Sequence, residues 1–162
     1  AGTQSASAID PDNRHWWRRP TLRLEAEVVR DSILAIAGSV DLARGGPPVP
    51  SAAQAASHRR SLYFFHSNND RNPWLTTFDA AAVNECYQRD QSIVPQQALA
   101  LANSGFALEA SEWIARRLSS RLPTPGPGSD PDLEFVRHAF LATLGRRATD
   151  DQIAAKIGRA HV

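Results

Sequence analysis

Apolar side chains recur at helical spacing in three long segments, and this periodicity constrains the fold more than any other feature of the chain. Residues three, four and seven apart lie on one face of an α-helix, so each segment presents one apolar stripe and one polar face. The stripes consist of Leu22, Ala26, Val29, Ile33, Ile36 and Ala37; of Phe106, Ala110, Trp113, Ile114 and Leu118; and of Leu133, Val136, Phe140, Leu141 and Leu144. We therefore predict three amphipathic helices that bury one face each.

Capping residues bound these helices and predict two more. Proline fits the first turn of a helix and glycine the position just after the end, while Ser, Thr and Asp cap the start. Pro95 thus begins a further helix, and Thr149 to Gln152 form a capping box that begins the last one. The first striped helix is predicted to begin after Thr21 and to end at Gly38, and the second to begin after Ser104 and to end before Pro123. The third is predicted to begin at Asp130 and Pro131 and to end at Gly145.

The segments between the helices predict loops. Gly45, Gly46 and several prolines make regular structure improbable between residues 41 and 58. Residues 60–65 are short and aromatic, which favours a strand or an extended segment, and residues 74–78 favour a short helical turn or coil. The predicted fold class is therefore mainly α, with four to five helices, long ordered loops and at most a short strand near 60–65.

The domain organisation follows from one Pro/Gly-rich segment. Residues 123–129 read Pro-Thr-Pro-Gly-Pro-Gly-Ser, which is typical of a flexible linker. We expect residues 1–122 to form the main helical part of a domain and residues 130–155 to form the truncated C-terminal helical part of the same domain.

Charge, hydropathy and cysteine content exclude or disfavour several kinds of function for this chain. Basic and acidic residues number 18 and 17, which disfavours a bulk electrostatic grip on nucleic acid or anionic membranes. No apolar run approaches the length of about 20 residues that spans a bilayer, so we expect no membrane insertion. Cys86 is the one cysteine, which excludes an internal disulfide, a multi-cysteine metal site and a Cys-x-x-Cys-His haem attachment motif in this chain.

Three carboxylates are the candidate catalytic residues. Asp79, Glu85 and Asp90 lie within twelve residues of one another. Paired carboxylates can perform acid–base chemistry on a glycosidic bond. Structural ion pairs and helix caps are the alternative explanation of the same residues.

Other candidate sites have weaker signatures. His66 and Asp70 could share a cation, but two ligands are too few for a bound metal, so we predict no metal site. Cys86 with His66 could form a thiolate–imidazole nucleophile, or Cys86 could be an inert buried residue. The bend at Gly45 and Gly46 lacks the lysine of a phosphate-binding loop.

The tryptophans and the paired arginines are further candidates for ligand binding. Trp16, Trp17 and Trp74 could stack on sugar rings or bases, or they could be core and interface anchors. The pairs at 59–60 and 116–117 are dispersed arginines rather than a basic stripe, so we predict no nucleic-acid partner.

An ordered series of motifs runs over about residues 8–154. The motifs are Asp10–Arg14, Trp17-Arg18, Arg23–Glu27, Arg30–Ser32, Leu34-Ala35, Ser39, Leu42, Gly45–Pro47, Arg59–Tyr63, Phe78-Asp79, Cys86, Arg89, Ser92, Pro95–Leu101, Asn103, Phe140, Leu144–Arg147 and Thr149. This series resembles the Planctomycete-specific domain family, also called domain of unknown function fifteen-fifty-three. Leu22 departs from the family pattern, which would place an arginine there.

The resemblance implies a context rather than an activity. Such domains usually lie at the C-terminal end of large exported bacterial proteins, so the resemblance implies an extracytoplasmic location and upstream domains of the same polypeptide as partners. A haem c group is often attached to another domain of the parent, and no cofactor is expected in this chain. No catalytic residue carries over. The matching motif positions that could form a site are Arg60, Asp79, Cys86, Arg89 and Asn103.

Three functional hypotheses follow. The first is a non-catalytic helical module that packs against its upstream neighbour, with the recurring arginines and aspartates forming a structural network. The second is part of an extracytoplasmic enzyme that acts on polysaccharide or a similar polymer. The third is a partner surface for electron transfer by the haem of the parent protein.

Lys156 is the one lysine among 18 basic residues, and it begins the sequence Lys-Ile-Gly-Arg-Ala-His-Val. A common DNA-sequencing adapter translates to Ile-Gly-Arg-Ala-His-Val in one frame. We therefore expect residues 156–162 to be adapter read-through in a metagenomic fragment.

Overall fold

A computed structural model of the chain describes residues 2–20, 22–84, 91–122 and 130–160. The regular structure in these ranges is helical, without a strand or sheet, which confirms the predicted fold class. The α-helices are α1 (Gly2–Ile9), α2 (Ala26–Ala37), α3 (Ser51–Gln54), α4 (Pro73–Thr77), α5 (Pro95–Asn103), α6 (Gly105–Ser119), α7 (Pro131–Leu144) and α8 (Asp150–Ala160).

Helix α2 lies at the centre of the molecule. It packs against α6, α4 and a 3₁₀ turn at Ser61–Tyr63. Its buried positions are Ala26, Arg30, Leu34 and Ala37, so an arginine occupies the middle of the apolar stripe. The core therefore contains a charged group that needs polar partners from the surrounding loops.

The predicted start of α2 is wrong by four residues. The apolar stripe places the start just after Thr21, which lies outside the described residues, whereas the helix begins at Ala26 and Glu25 has extended backbone angles. Arg23 lies ahead of the helix and forms an ion pair with Asp79. Leu22 is exposed rather than part of the buried stripe.

The predicted helix caps are confirmed at α5, α6 and α7. Pro95 occupies the first turn of α5, and the Ser104 hydroxyl accepts the Ala107 N–H at the start of α6. The Asp130 carboxylate accepts backbone N–H groups at the start of α7. Helix α6 ends at Ser119, before the predicted stop at Pro123, which lies outside the described residues with the rest of the 123–129 linker.

The last helix begins with the predicted capping box. The Thr149 N–H donates to the Gln152 side-chain oxygen at 3.2 Å, and the Gln152 N–H donates to the Thr149 hydroxyl at 3.4 Å. Helix α8 then runs from Asp150 to Ala160.

Sequence periodicity misses α1 and α3, because both are short and lack a long apolar stripe. In the segment 74–78, where a short helical turn or coil is predicted, residues 74–77 lie in α4 and Phe78 follows its end, and the Asn72 side chain caps the start. Residues 60–65, where a strand or an extended segment is predicted, form the 3₁₀ turn at Ser61–Tyr63 and an isolated bridge between Val49 and Phe64 rather than a strand.

The main core is aromatic and lies beneath α2. Ala26, Phe64, Leu75 and Phe78 form its buried cluster. Trp74 packs against it, with its ring centroid 4.9 Å from that of Phe78. Helices α7 and α8 lie at the edge, where α7 contacts α6 and α8 and contributes no buried residue.

Candidate functional site

Asp79 lies just after α4, in the left-handed backbone region with φ +61°. Its N–H donates to the Thr76 carbonyl, and the Ala80 N–H donates to the Leu75 carbonyl, so the chain turns sharply there. Asp tolerates this backbone conformation better than most residues.

The Asp79 carboxylate joins three segments of the chain. One oxygen accepts the Ser92 hydroxyl at 2.6 Å, and the other accepts the Ser92 backbone N–H at 2.9 Å. The Arg23 guanidinium lies 2.9 Å from the second oxygen and also donates to the Ser92 carbonyl. The Gln97 amide donates to the Asp79 carboxylate and to the Thr77 carbonyl.

These contacts determine the charge of the carboxylate. The Ser92 hydroxyl has the largest effect and holds the pKa of Asp79 below its ordinary value, and the Ser92 N–H, Arg23 and Gln97 act in the same direction. Burial acts against them. Because a general acid needs a raised pKa, this environment suits a charged hydrogen-bond acceptor rather than a proton donor.

Arg30 forms a second polar centre in the core, where it is 3% exposed. Its guanidinium donates to the carbonyls of Ser57 and Arg59 and to the Ser61 hydroxyl. The same group lies 4.5 Å from the centroid of the Phe64 ring, in cation–π geometry. Burial lowers the pKa of Arg30, and nearby Asp31 partly opposes that effect.

Asp31 extends this centre to the surface. One of its oxygens accepts the Ser61 N–H at 2.8 Å and the Ser61 hydroxyl at 2.7 Å. The other lies 3.5 Å from Arg60 Nε. The motif positions Arg60 and Asp79 thus belong to two different Arg–Asp networks, centred on Asp31 and Asp79.

Arg59 fixes the glycine-rich bend. It donates to the carbonyls of Ala43 and Gly45 at 3.2 and 2.6 Å. Its guanidinium stacks 4.1 Å from the ring centroid of Tyr63, whose hydroxyl accepts the Gly45 N–H. The bend is therefore an ordered structural loop.

Arg116 and Arg117 have different structural roles. Arg117 donates to the carbonyls of Ala35 and Ile36 at the end of α2, 3.0 and 3.2 Å away. Arg116 pairs with Glu112 within α6 at 3.2 Å.

Gln54 and Asn72 lie between two cavities. Gln54 is buried, donates to the Phe65 carbonyl at 2.9 Å and accepts from the Asn72 amide at 3.0 Å. Both residues line a cavity of about 220 Å³ with His66 and Arg71. They also line an apolar cavity of about 470 Å³ with Trp74.

The sequence-predicted site residues separate into two groups. Arg60 and Asp79 lie in the networks above, and Asn103 is an exposed residue at the end of α5. Glu85, Cys86, Arg89 and Asp90 lie outside the described residues. The proposed carboxylate cluster and the proposed Cys86–His66 pair therefore stay predictions.

The other candidates are placed as follows. His66 and Asp70 are both exposed, and no three His, Cys, Asp or Glu side chains within the described ranges could together hold a metal ion. No helix in the part of the chain that the structure describes is long and apolar enough to cross a membrane.

The three tryptophans with alternative interpretations lie in different environments. Trp74 packs against the core, and Trp17 is half-buried with its indole N–H 2.7 Å from the Asp10 carbonyl. Trp16 is 77% exposed.

Sequence reasoning missed Arg23, Arg30, Asp31 and Ser92 as members of these networks. One signal was present for Arg30, which lies four residues after Ala26 and four before Leu34 and therefore on the apolar face of α2. An arginine on a buried face requires several hydrogen-bond partners.

Similarity to a known protein family extends over most of the chain. The family model PSD1, protein of unknown function (DUF1553), matches residues 1–157. No curated protein and no solved structure matches the chain significantly.

Proposed function

Because the chain belongs to the PSD1 family of proteins of unknown function (DUF1553), we propose that it is a non-catalytic helical module of a larger exported, haem-linked bacterial protein, and that it packs against upstream domains of the same polypeptide. The observation that supports this proposal most is a group of exposed apolar side chains beside the Asp79 network.

Two segments contribute these side chains. Leu22 and Leu24 flank Arg23, and Ile93 and Val94 follow Ser92. The Arg23 side chain donates to the Ser92 carbonyl and so connects the two segments. Leu22 is 75% exposed and Ile93 is 95% exposed. We call Leu22, Leu24, Ile93 and Val94 the Arg23–Ser92 patch.

The patch has the features of a protein-binding surface. Groups of exposed large apolar side chains are typical of interaction sites. The Arg23–Asp79 ion pair and the hydrogen bonds of Asp79 to Ser92 fix the backbone on both sides of the patch. A surface held in one conformation loses little conformational entropy on binding, which favours a stable contact.

The polar networks support a structural role for the module. The carboxylates of Asp79 and Asp31 accept hydrogen bonds from the loops that they join. The enzymatic alternative on polysaccharide depends on Asp79, Glu85 and Asp90, and the last two lie outside the described residues. Export and haem linkage rest on the family resemblance, and with one cysteine in this chain a haem c group would be attached to another domain of the parent.

Co-purification tests the proposal. The 162-residue chain is mixed with the separately expressed polypeptide that the source gene encodes upstream of it, and a Leu24→Asp/Ile93→Asp variant is compared with wild type. We expect wild type to be retained and the variant to bind at least about tenfold more weakly, because charges are placed in an apolar contact.

The control is Leu144→Asp, which places the same charge on an exposed leucine at the end of α7. This variant is expected to bind as wild type does. Absence of binding by wild type, or equal losses in both variants, would contradict a packing role for the Arg23–Ser92 patch. Soret absorbance of the retained complex reports separately whether the upstream polypeptide holds haem.

A further inference from the structure

The turn formed by residues 10–18, here called the Asp10 turn, is fixed by side chains of its own. Both oxygens of the Asp10 carboxylate accept backbone N–H groups, from Arg14 at 2.9 Å and from His15 at 2.8 Å. The Asp10 carbonyl accepts the indole N–H of Trp17 at 2.7 Å. These contacts fix the first half of the turn.

Asn13 fixes the second half of the turn. Its side-chain amide donates to the Arg18 carbonyl at 2.8 Å, and its side-chain oxygen accepts the Arg18 N–H at 3.1 Å. The backbone on both sides of Trp16 is therefore held by hydrogen bonds.

Trp16 is unusual in both backbone conformation and exposure. Its φ is +55°, in the left-handed region that bulky residues rarely adopt. The residue is 77% exposed, so burial does not compensate for the backbone conformation. Strained residues held by surrounding contacts occur often at ligand-binding sites.

A shallow cavity lies beside this indole and has the chemistry of a sugar site. Its volume is about 350 Å³, and Asp12, Asn13, Trp16, Arg18 and Pro20 line it. This volume falls within the usual range for small-molecule pockets. The indole offers a flat apolar face, the Asp12 carboxylate accepts hydrogen bonds and the Arg18 guanidinium donates them.

We propose that the Asp10 turn binds a pyranose ring of a polysaccharide, with the ring stacked on Trp16 and its hydroxyls bonded to Asp12 and Arg18. A pyranose has an apolar C–H face and a rim of hydroxyls that both donate and accept, which matches one indole with charged groups at its edge. A protein partner would favour a broader apolar surface, whereas the neighbours of Trp16 between Asp12 and Arg19 are polar apart from half-buried Trp17.

Isothermal titration of the 162-residue chain with cellohexaose, xylohexaose and laminarihexaose tests this site. We expect at least one of these hexasaccharides to bind with a Kd of about 1 mM or tighter. Trp16→Gly and Trp16→Asn are expected to weaken that binding at least about tenfold, since each removes the aromatic face. Both replacements tolerate a positive φ, so both variants are expected to fold.

Trp113→Ala is the matched control, because Trp113 is a 45% exposed tryptophan on α6, far along the chain from the Asp10 turn. It is expected to bind the hexasaccharide as wild type does. The proposal is overturned if none of the three hexasaccharides binds, or if Trp113→Ala loses as much affinity as Trp16→Gly. Binding of a thymidine hexanucleotide that depends on Trp16, without hexasaccharide binding, would instead assign the turn to nucleobases.

The experiments distinguish failure of the sugar-site proposal from failure of the packing role proposed for the Arg23–Ser92 patch. The Leu24→Asp/Ile93→Asp variant is expected to keep wild-type affinity for the hexasaccharide, and Trp16→Gly is expected to keep wild-type retention by the upstream polypeptide. Each outcome concerns one surface alone.

Discussion

The region around α2 and the α7–α8 pair are stabilised by contacts of different range. Arg30 of α2 donates to the carbonyls of Ser57 and Arg59, 27 and 29 residues further along the chain. The Asp130 cap of α7 instead accepts from Asp132 and Leu133, its immediate neighbours.

This difference explains how the loops of the α2 region are ordered without a sheet. Charged side chains on α2 reach loop carbonyls and hydroxyls, and each such contact fixes a loop that has few backbone partners of its own. In α7 and α8 the polar contacts stabilise the helix to which they belong. We therefore expect matched substitutions in the two regions to have unequal effects on stability.

The largest effect is expected for Arg30→Ala. The substitution removes a buried cation and leaves the Ser57 and Arg59 carbonyls without this donor, so we expect a loss of about 4 kcal/mol in the free energy of unfolding. Urea denaturation followed by circular dichroism measures it. Arg137→Ala removes an exposed pair with Glu134 on α7 and should cost less than about 0.5 kcal/mol. Equal losses in the two variants would show that the α2 network contributes no more than a surface ion pair.

The second comparison uses two glycines that end helices. Gly38 and Gly145 both have positive φ, +78° and +65°, so alanine is strained at either position. A Cβ at Gly38 would also clash with the guanidinium end of the Arg117 side chain, whereas a Cβ at Gly145 would meet no atom within 4 Å. Displacing Arg117 breaks its hydrogen bonds to the Ala35 and Ile36 carbonyls. We therefore expect Gly38→Ala to cost about 3 kcal/mol and Gly145→Ala about 1 kcal/mol in the same denaturation experiment.

Arg117→Ala in the Gly38→Ala background separates the two causes. If the Arg117 side chain is responsible for the additional loss, the double variant should lose less than the sum of the two single variants. Strict additivity would contradict that explanation.

The smallest of the three effects is expected for Asp79→Asn. Asparagine tolerates the positive φ, so the substitution removes the charge and one acceptor oxygen without adding backbone strain, and we expect a loss of about 2 kcal/mol at pH 7. Because contacts in the folded state lower the pKa of Asp79, its stabilisation is fully present above the pKa of the unfolded chain and is lost as the pH falls through the folded pKa. The difference between wild type and the variant should therefore shrink from pH 7 to pH 3.

Asp130→Asn is the control for this experiment. Asparagine caps a helix as well as aspartate does, so the variant should lie within about 0.5 kcal/mol of wild type at pH 7. A difference between wild type and Asp79→Asn that stays constant with pH would show that the Asp79 charge does not stabilise the fold.

The parts of the fold that depend on neighbouring residues could be predicted from the sequence. The capping box at Thr149 and Gln152 and the glycine at position 145 act within one turn of helix, so their residue types are sufficient to identify them. The tight bend at Gly45 is predictable for the same reason, although the hydrogen bond that Arg59 donates to the Gly45 carbonyl is not.

The candidate site depends on pairings that the sequence does not encode locally. The apolar period alone predicts a helix back to Leu22, but Arg23 lies ahead of α2 and pairs with Asp79, 56 positions away. The sequence offers Asp79 as a candidate, but nothing in the spacing indicates its hydrogen bond with Ser92, 13 residues further along the chain. The sequence also does not show which tryptophan is exposed. In the structure Trp16 is exposed and its neighbour Trp17 is half-buried.

The contact of Arg117 with the end of α2 has a consequence for synthesis on the ribosome. Helix α2 emerges early, but Arg117, which donates a hydrogen bond to the Ala35 carbonyl, is synthesised 82 residues later. The α2 region therefore cannot reach its final structure until α6 has left the exit tunnel, and until then its apolar face remains available to chaperones. Helices α7 and α8 need no such delay, since the residues that cap them are translated beside them.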